Sequence, residues 1–281
     1  MHRVGSLRSR YARRTVYKEI MGCMNILCIG DVVGSGGCEF LRKKLPVLKK
    51  LKAIDAVIVN GENSADGNGI TPASAKHIFD SGADVITGGN HSFRRSEMYP
   101  LFDENDRILR PANFPKSAYG NGYTVVDFGY AKMGIINLMG VVYTEPLACP
   151  FETADTLVDS MKSSGVNIII VDIHAEATAE KKALAYYLDG RVSAVFGTHT
   201  HVQTADEQIL PQKTGFITDV GMVGPINSVL GVKPELAIKK MKDKLPVRFA
   251  NADGDCILNA CIFSVDTKSG KCLSAERISV T

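Results

Sequence analysis

The chain lacks any long apolar run. No stretch approaches the roughly 20 residues needed to cross a bilayer, so no membrane-spanning helix is expected. It also lacks a cysteine framework. The seven cysteines, Cys23, Cys28, Cys38, Cys149, Cys256, Cys261 and Cys272, are odd in number and contain no CxxC pair. Cys28 falls in one apolar run, and Cys256 and Cys261 in another, where cysteine serves as a small buried hydrophobe. That pattern suits a reducing cytoplasm, not a disulfide scaffold. Charge of one sign is scarce as well. The net charge is only +3, and its excess sits in residues 1–23, where His2, Arg3, Arg8, Arg10, Arg13, Arg14 and Lys18 face a single acid, Glu19. The rest is near neutral or slightly acidic, without the long basic face of a nucleic-acid binder. This tail has no apolar core of signal-peptide length. Its Arg and Ser content is like that of a transit peptide. Nothing in it could bury an apolar face, so a disordered extension or an upstream start is expected, with the folded domain spanning 24–281.

A length of 281 residues with 45% hydrophobic and 22% charged content suits one large α/β domain. Asn25–Ile29, Ala56–Val59 and Asp84–Thr87 read as short buried strands. The first two alternate with helical patterns: Phe40–Leu51, with Leu41, Leu45 and Leu48 on one face, and a helix opened by Thr71-Pro72 and stopped by Gly82. Such β-loop-α units imply parallel pairing with right-handed crossovers. Tyr123–Phe128 and Met133–Asn137 read as an antiparallel pair. Helices are expected at Thr153–Ser164, Ala177–Leu188 and Glu235–Lys242, and strands at Asn167–Asp172 and Val192–Phe196. Gly215–Thr218, Cys256–Val265 and Leu273–Val280 read as antiparallel strands. The expected fold is a four-layer α/β/β/α sandwich of two mixed sheets.

Four of the six histidines fall in three short stretches just after strand-like runs: Gly88-Gly89-Asn90-His91, Asp172-Ile173-His174 and Gly197-Thr198-His199-Thr200-His201. Gly30-Asp31 and Gly61-Glu62-Asn63 precede them. In open α/β sheets, ligands bind beyond the carboxyl ends of the strands. Taken singly, Asp31 reads as a turn residue, Asn63 as a turn cap and His174 as a core histidine. Taken together, in this order and all at strand ends, they read as a metal site. His199 and His201, two apart, would point to the same side of an extended segment. Imidazoles, carboxylates and an amide, with no thiolate, favour Mn, Fe, Zn or Co over a structural zinc. The number of ligands suits a pair of divalent metals bridged by a carboxylate, with Glu62 the candidate bridge.

These residues resemble the calcineurin-like metallophosphoesterase superfamily, with departures. Val33 stands where that pattern has its first histidine, Gly61-Glu62-Asn63 replaces Gly-Asp, and the last motif carries an extra Thr. The departures, with Arg110-Pro-Ala-Asn113, Asn137-Leu-Met-Gly140, Val171-Asp-Ile-His-Ala-Glu-Ala-Thr178 and Thr218-Asp-Val-Gly-Met222, are similar to the YmdB family from about Met24 to the C-terminus. The resemblance implies a dinuclear site, commonly iron or manganese (zinc, cobalt or magnesium being other choices), and 2′,3′-cyclic-nucleotide phosphodiesterase activity. It implies one metal on Asp31, Glu62, Asn63 and His201, and the other on Glu62, Asn90, His174 and His199. His91 would be the general acid for the leaving ribose oxygen while a metal-bridging hydroxide attacks phosphorus. Asp172 and Asp219 are candidates to orient ligand histidines or to cap turns, and Arg110 to contact phosphate or to form a surface salt bridge. A cyclic nucleotide or small phosphoester is the expected partner, and the resemblance is compatible with a homo-oligomer. Two other functions share the motif: a broader phosphatase or phosphodiesterase, and a regulatory metal- and nucleotide-binding protein that turns over slowly.

Overall fold

In the computed structural model, which describes residues 22–281, strand β1 (Cys23–Ile29) is buried on both faces over most of its length. Ile26 and Cys28 enter one apolar cluster and Leu27 and Ile29 another, as the two-residue period of a strand requires. After β2 (Asp31–Val32), helix α1 (Gly34–Leu51) leads to β3 (Ala56–Asn60), and helix α2 (Pro72–Ser81) leads to β4 (Val85–Thr87). β1, β3 and β4 pair in parallel. α2 begins as its sequence dictates. Thr71 accepts from the Ser74 backbone, Pro72 occupies the first turn, and Gly82 closes the helix in the left-handed region at φ 110°. α1 starts earlier than Phe40 because two of its glycines allow close approach: a Cβ on Gly37 would collide with the Val223 carbonyl.

A short 3₁₀ turn (Ser96–Met98) and helix α3 (Tyr99–Glu104), neither anticipated, precede the second sheet. That sheet is built from β5 (Tyr123–Asp127), β6 (Lys132–Met139), β7 (Ile168–His174), β8 (Ala194–Thr198), β9 (Gln208–Ile209) and β10 (Gly215–Ile217), in the order β5-β6-β7-β8-β10-β9. Helices α4 (Pro150–Ser163) and α5 (Thr178–Tyr187) supply its outer face. The chain then returns to the first sheet through β11 (Met222–Pro225), helix α6 (Pro234–Asp243), β12 (Cys256–Asp266) and β13 (Cys272–Val280). β12 pairs β13 along one edge and, along the other, β11 and then β1. Two expectations are corrected. Gly215–Ile217 runs parallel to β8 and antiparallel only to the two-residue β9, so it belongs to the second sheet and not to the C-terminal hairpin. β7 extends two residues past Asp172, so His174 lies inside the strand instead of after it.

Three apolar clusters separate four layers. One lies between α1–α2 and the first sheet, one between the sheets, and one between the second sheet and α4–α5. Ile58, Ile135, Ile170 and Phe196 meet in the middle cluster. The architecture is therefore the α/β/β/α sandwich, and it aligns the carboxyl ends of β3, β4, β7 and β8 along one edge. Residues 1–21 of the basic extension lie outside the described residues. Among those described, no helix is long and apolar enough to cross a membrane.

Candidate metal centre

The edge collects all eight residues singled out. Asp31 comes from β2, Glu62 and Asn63 from the turn after β3, Asn90 and His91 from the turn after β4. His174 ends β7, and His199 and His201 follow β8. Asp31 and His174 are fully buried, and Glu62 and Asn63 nearly so. Gly89 is required by this crowding: a Cβ there would collide with both the Glu62 carboxylate and the His174 ring.

One group centres on His174 Nε2. It lies 3.1 Å from Glu62 Oε1, 3.0 Å from Asn90 Oδ1 and 3.0 Å from His199 Nδ1. Glu62, His174 and His199 can offer three ligand atoms within 4.8 Å of one another. The second group holds Asp31, Asn63 and His201, with His201 Nε2 3.5 Å from Asp31 Oδ1. Asn63 turns its amide nitrogen inward, 3.0 Å from Glu62 Oε1, 3.4 Å from Asp31 Oδ1 and 3.3 Å from His201 Nε2. A donor nitrogen among three acceptors stands where a cation would be welcome. A half-turn of the amide would present the oxygen a metal needs. His91 lies between the groups. Its backbone N–H donates to Glu62 Oε2 at 2.9 Å, and its Nδ1 lies 3.1 Å from Asn63 Oδ1.

Each of the three candidate ligand histidines has its outward nitrogen engaged. Thr198 donates its hydroxyl to Asp172 Oδ1 at 2.8 Å, so Thr198 Oγ1 accepts from His174 Nδ1 at 2.9 Å. His199 Nε2 meets Glu176 Oε2 at 3.0 Å, and His201 Nδ1 donates to the Leu230 carbonyl at 3.0 Å. An acceptor on the outer nitrogen fixes the tautomer and leaves a lone pair directed inward, as metal-ligating histidines require. The donor set therefore fits divalent metals by its own chemistry.

The charges are mutually dependent. Burial pushes Asp31 upward, but His201 and His174 outweigh it and hold the carboxyl below its ordinary value. Burial opposes charge on Glu62 too, yet His174 and His91 keep it well below the usual carboxylate range. Burial would lower His174, and Glu62, Asp31 and Asp172 instead carry it to about 9. His201 is raised, its burial offset by Asp31, while burial and His174 lower His199. Burial pushes Asp172 up to about 7, against hydrogen bonds from Thr87 and Thr198. Positive charge on His174 and His201 thus compensates the buried carboxylates.

Other expectations at the site change. His199 and His201 do not share an extended segment. Their φ values are 95° and 62°, a conformation that L side chains adopt at a cost, and they approach different groups by different nitrogens. The loop is held in that shape by Asp219. Its Oδ2 accepts from the Thr200 hydroxyl at 2.7 Å and the Thr200 N–H at 3.2 Å, and it pairs with Lys181 Nζ at 2.7 Å with both side chains fully buried. Asp219 thus acts on Thr200, between the histidines, and Asp172 reaches His174 through Thr198. Arg110 forms no surface salt bridge. Its side chain is buried, with Nη1 donating to the Pro111 carbonyl at 2.8 Å. Sequence reading missed Thr198 and Glu176, although both lie inside the quoted motifs, and it missed Lys181, which no motif marked.

Fold and site together define a protein of the metallophosphoesterase-like class. A family model described as YmdB-like protein matches residues 27–278, and the chain belongs to that family. It is 45% identical over 255 residues to the 2′,3′-cyclic-nucleotide 2′-phosphodiesterase of Bacillus subtilis, covering 91% of this chain and 96% of that protein. Among solved structures it resembles a phosphatase from Mycoplasma pneumoniae, with TM-score 0.86, 33% identity and coverage of 92% and 93% of the two chains. It is equally similar in shape to a protein from Thermus thermophilus, with TM-score 0.86, 35% identity and coverage of 92% and 99%.

Proposed function

We propose that this chain is a dinuclear metal-dependent phosphodiesterase that opens 2′,3′-cyclic nucleotides. The observation that carries the reading is that the outer nitrogen of each ligand histidine meets an oxygen of Thr198, Glu176 or Leu230, which would leave the inner nitrogen for a metal. Glu62, Asn90, His174 and His199 would hold one metal. Asp31, Glu62, Asn63 and His201 would hold the other, and iron or manganese suits this mixed nitrogen and oxygen set. Bound metals would supply Lewis-acid polarisation of the phosphate and acidify water near them.

His91 is the residue free to move a proton. It is partly exposed at the edge of the cluster, and its backbone is anchored to Glu62. Glu62 Oε1 and Asn63 Oδ1, 3.3 Å and 3.1 Å from its Nδ1, hold the ring in place, and His91 would protonate the departing ribose oxygen. The buried Asp31, Glu62 and His174 keep the reacting phosphate away from bulk water on one side, while His91 meets it from the solvent side. The cytoplasm is the proposed compartment, in keeping with the buried thiols of Cys28, Cys38, Cys261 and Cys272.

The M. pneumoniae neighbour, described as a phosphatase, motivates the second reading, a broader phosphoesterase. A panel of 2′,3′-cAMP, 3′,5′-cAMP and p-nitrophenyl phosphate separates the two. The proposal expects 2′,3′-cAMP to be turned over best. Preferred hydrolysis of p-nitrophenyl phosphate would replace it with the broader reading.

A further inference from the structure

The largest unexplained charge in the molecule lies away from the metal centre. Arg110 is only 7% exposed. Its Nη1 donates to the carbonyls of Pro111 and Ala112, and among the described residues its Nε has no partner and no carboxylate offsets its burial, which pulls the guanidinium downward. A buried cation without a counter-charge is costly. Arg110 lines a cavity of about 610 Å³, a size typical of small-molecule sites.

The remaining lining is consistent in sign. Lys116 stands exposed at the cavity, and none of the lining residues is acidic. The first two turns of α4 face it through Thr153, Thr156 and Leu157. Tyr123, Leu147 and Leu157 add apolar surface beside these groups. None of the candidate metal ligands, nor His91, lines the cavity.

We propose that this cavity is a second binding site, distinct from the metal centre, for a small organic oxyanion, a phosphate or carboxylate attached to an apolar or planar body. Arg110 would supply a positive charge at the cavity wall for the oxyanion, Lys116 would attract it at the mouth, and Tyr123 and the leucines would cover the organic part. The proposal does not depend on the phosphodiesterase reading.

Calorimetric titration of the metal-loaded full-length chain with adenosine 3′-monophosphate tests it, with inorganic phosphate and benzoate as separate arms to tell phosphate from carboxylate. The wild-type chain should show a binding component of one site per chain that Arg110→Met removes. Lys116→Glu, an exposed change that should leave the fold and turnover intact, should weaken that component about tenfold. Binding by any of the three probes that Lys116→Glu weakens supports the site. Should Arg110→Met fail to fold, Lys116→Glu decides alone. Titrations that Lys116→Glu leaves unchanged, or the absence of binding by all three probes, would overturn the proposal. Loss of the phosphodiesterase reading would show instead as a wild-type chain that binds but does not hydrolyse 2′,3′-cAMP.

Discussion

The two halves of the metal centre are held by different means. His174 sits inside β7, a strand buried along its whole length, and its ring is fixed by a chain of three buried residues, Thr198, Asp172 and Thr87. His199 and His201 sit on a loop of left-handed backbone, tied down at Thr200 by Asp219 and, behind it, Lys181. The strand half is rigid because the sheet makes it so. The loop half depends on contacts from outside it, with the buried Lys181–Asp219 pair behind Thr200 and the Leu230 carbonyl and Glu176 behind the histidines. Strain confined to the loop marks it as the part that depends on support from outside the cluster.

The largest break in this comparison would come from Glu62, the carboxylate proposed to bridge the two metals. Glu62→Gln is expected to strip at least one metal and abolish turnover, read by elemental analysis and assay. An unchanged two-metal stoichiometry would remove Glu62 as a bridge. Next is His91→Ala, which should keep both metals and slow turnover by about 10²–10⁴, the usual contribution of a general acid. Loss of metal in that variant would make His91 structural instead.

Lys181→Met sharpens the contrast between strand and loop. It leaves Asp219 buried and unpaired, so stability should fall by about 3–5 kcal/mol in denaturant unfolding, and the metal whose one imidazole is the loop's His201 should be lost before the metal shared by His174 and His199. Equal loss from both would show that the loop is not separately supported. The smallest effect is expected for Thr198→Val. It removes the acceptor on His174 Nδ1 and should weaken metal binding about 10- to 100-fold, as changes behind a ligand do. An unaltered affinity would mean that the strand alone fixes the ring.

Much of this was legible beforehand, and the reasons are physical. Strand ends marked by Gly-Asp, Gly-Glu-Asn and Gly-Gly-Asn-His are local signals, and an α/β sheet brings its strand ends together whatever the details. The Thr71-Pro72 start and Gly82 stop are local too, and both held. What could not be read depends on distant pairing. Lys181 finds Asp219 across 38 residues, and no pattern near either announces it. β10 reads as part of a C-terminal hairpin until β8 takes it in parallel. The left-handed φ at two non-glycine histidines contradicts local preference, which is why an extended His-x-His was the natural expectation. Arg110 reads equally as a phosphate contact or a surface salt-bridge residue, because arginine is seldom buried without a carboxylate.

The central claim is that eight converging residues form a two-metal phosphodiesterase centre. It is tested most directly by measuring metal content and hydrolysis of 2′,3′-cAMP in one preparation, before and after chelation. The account predicts about two metals per chain, turnover that disappears with the metal, and turnover that returns with manganese or iron. A chain that binds no metal, or that hydrolyses 2′,3′-cAMP equally well after complete chelation, would contradict it.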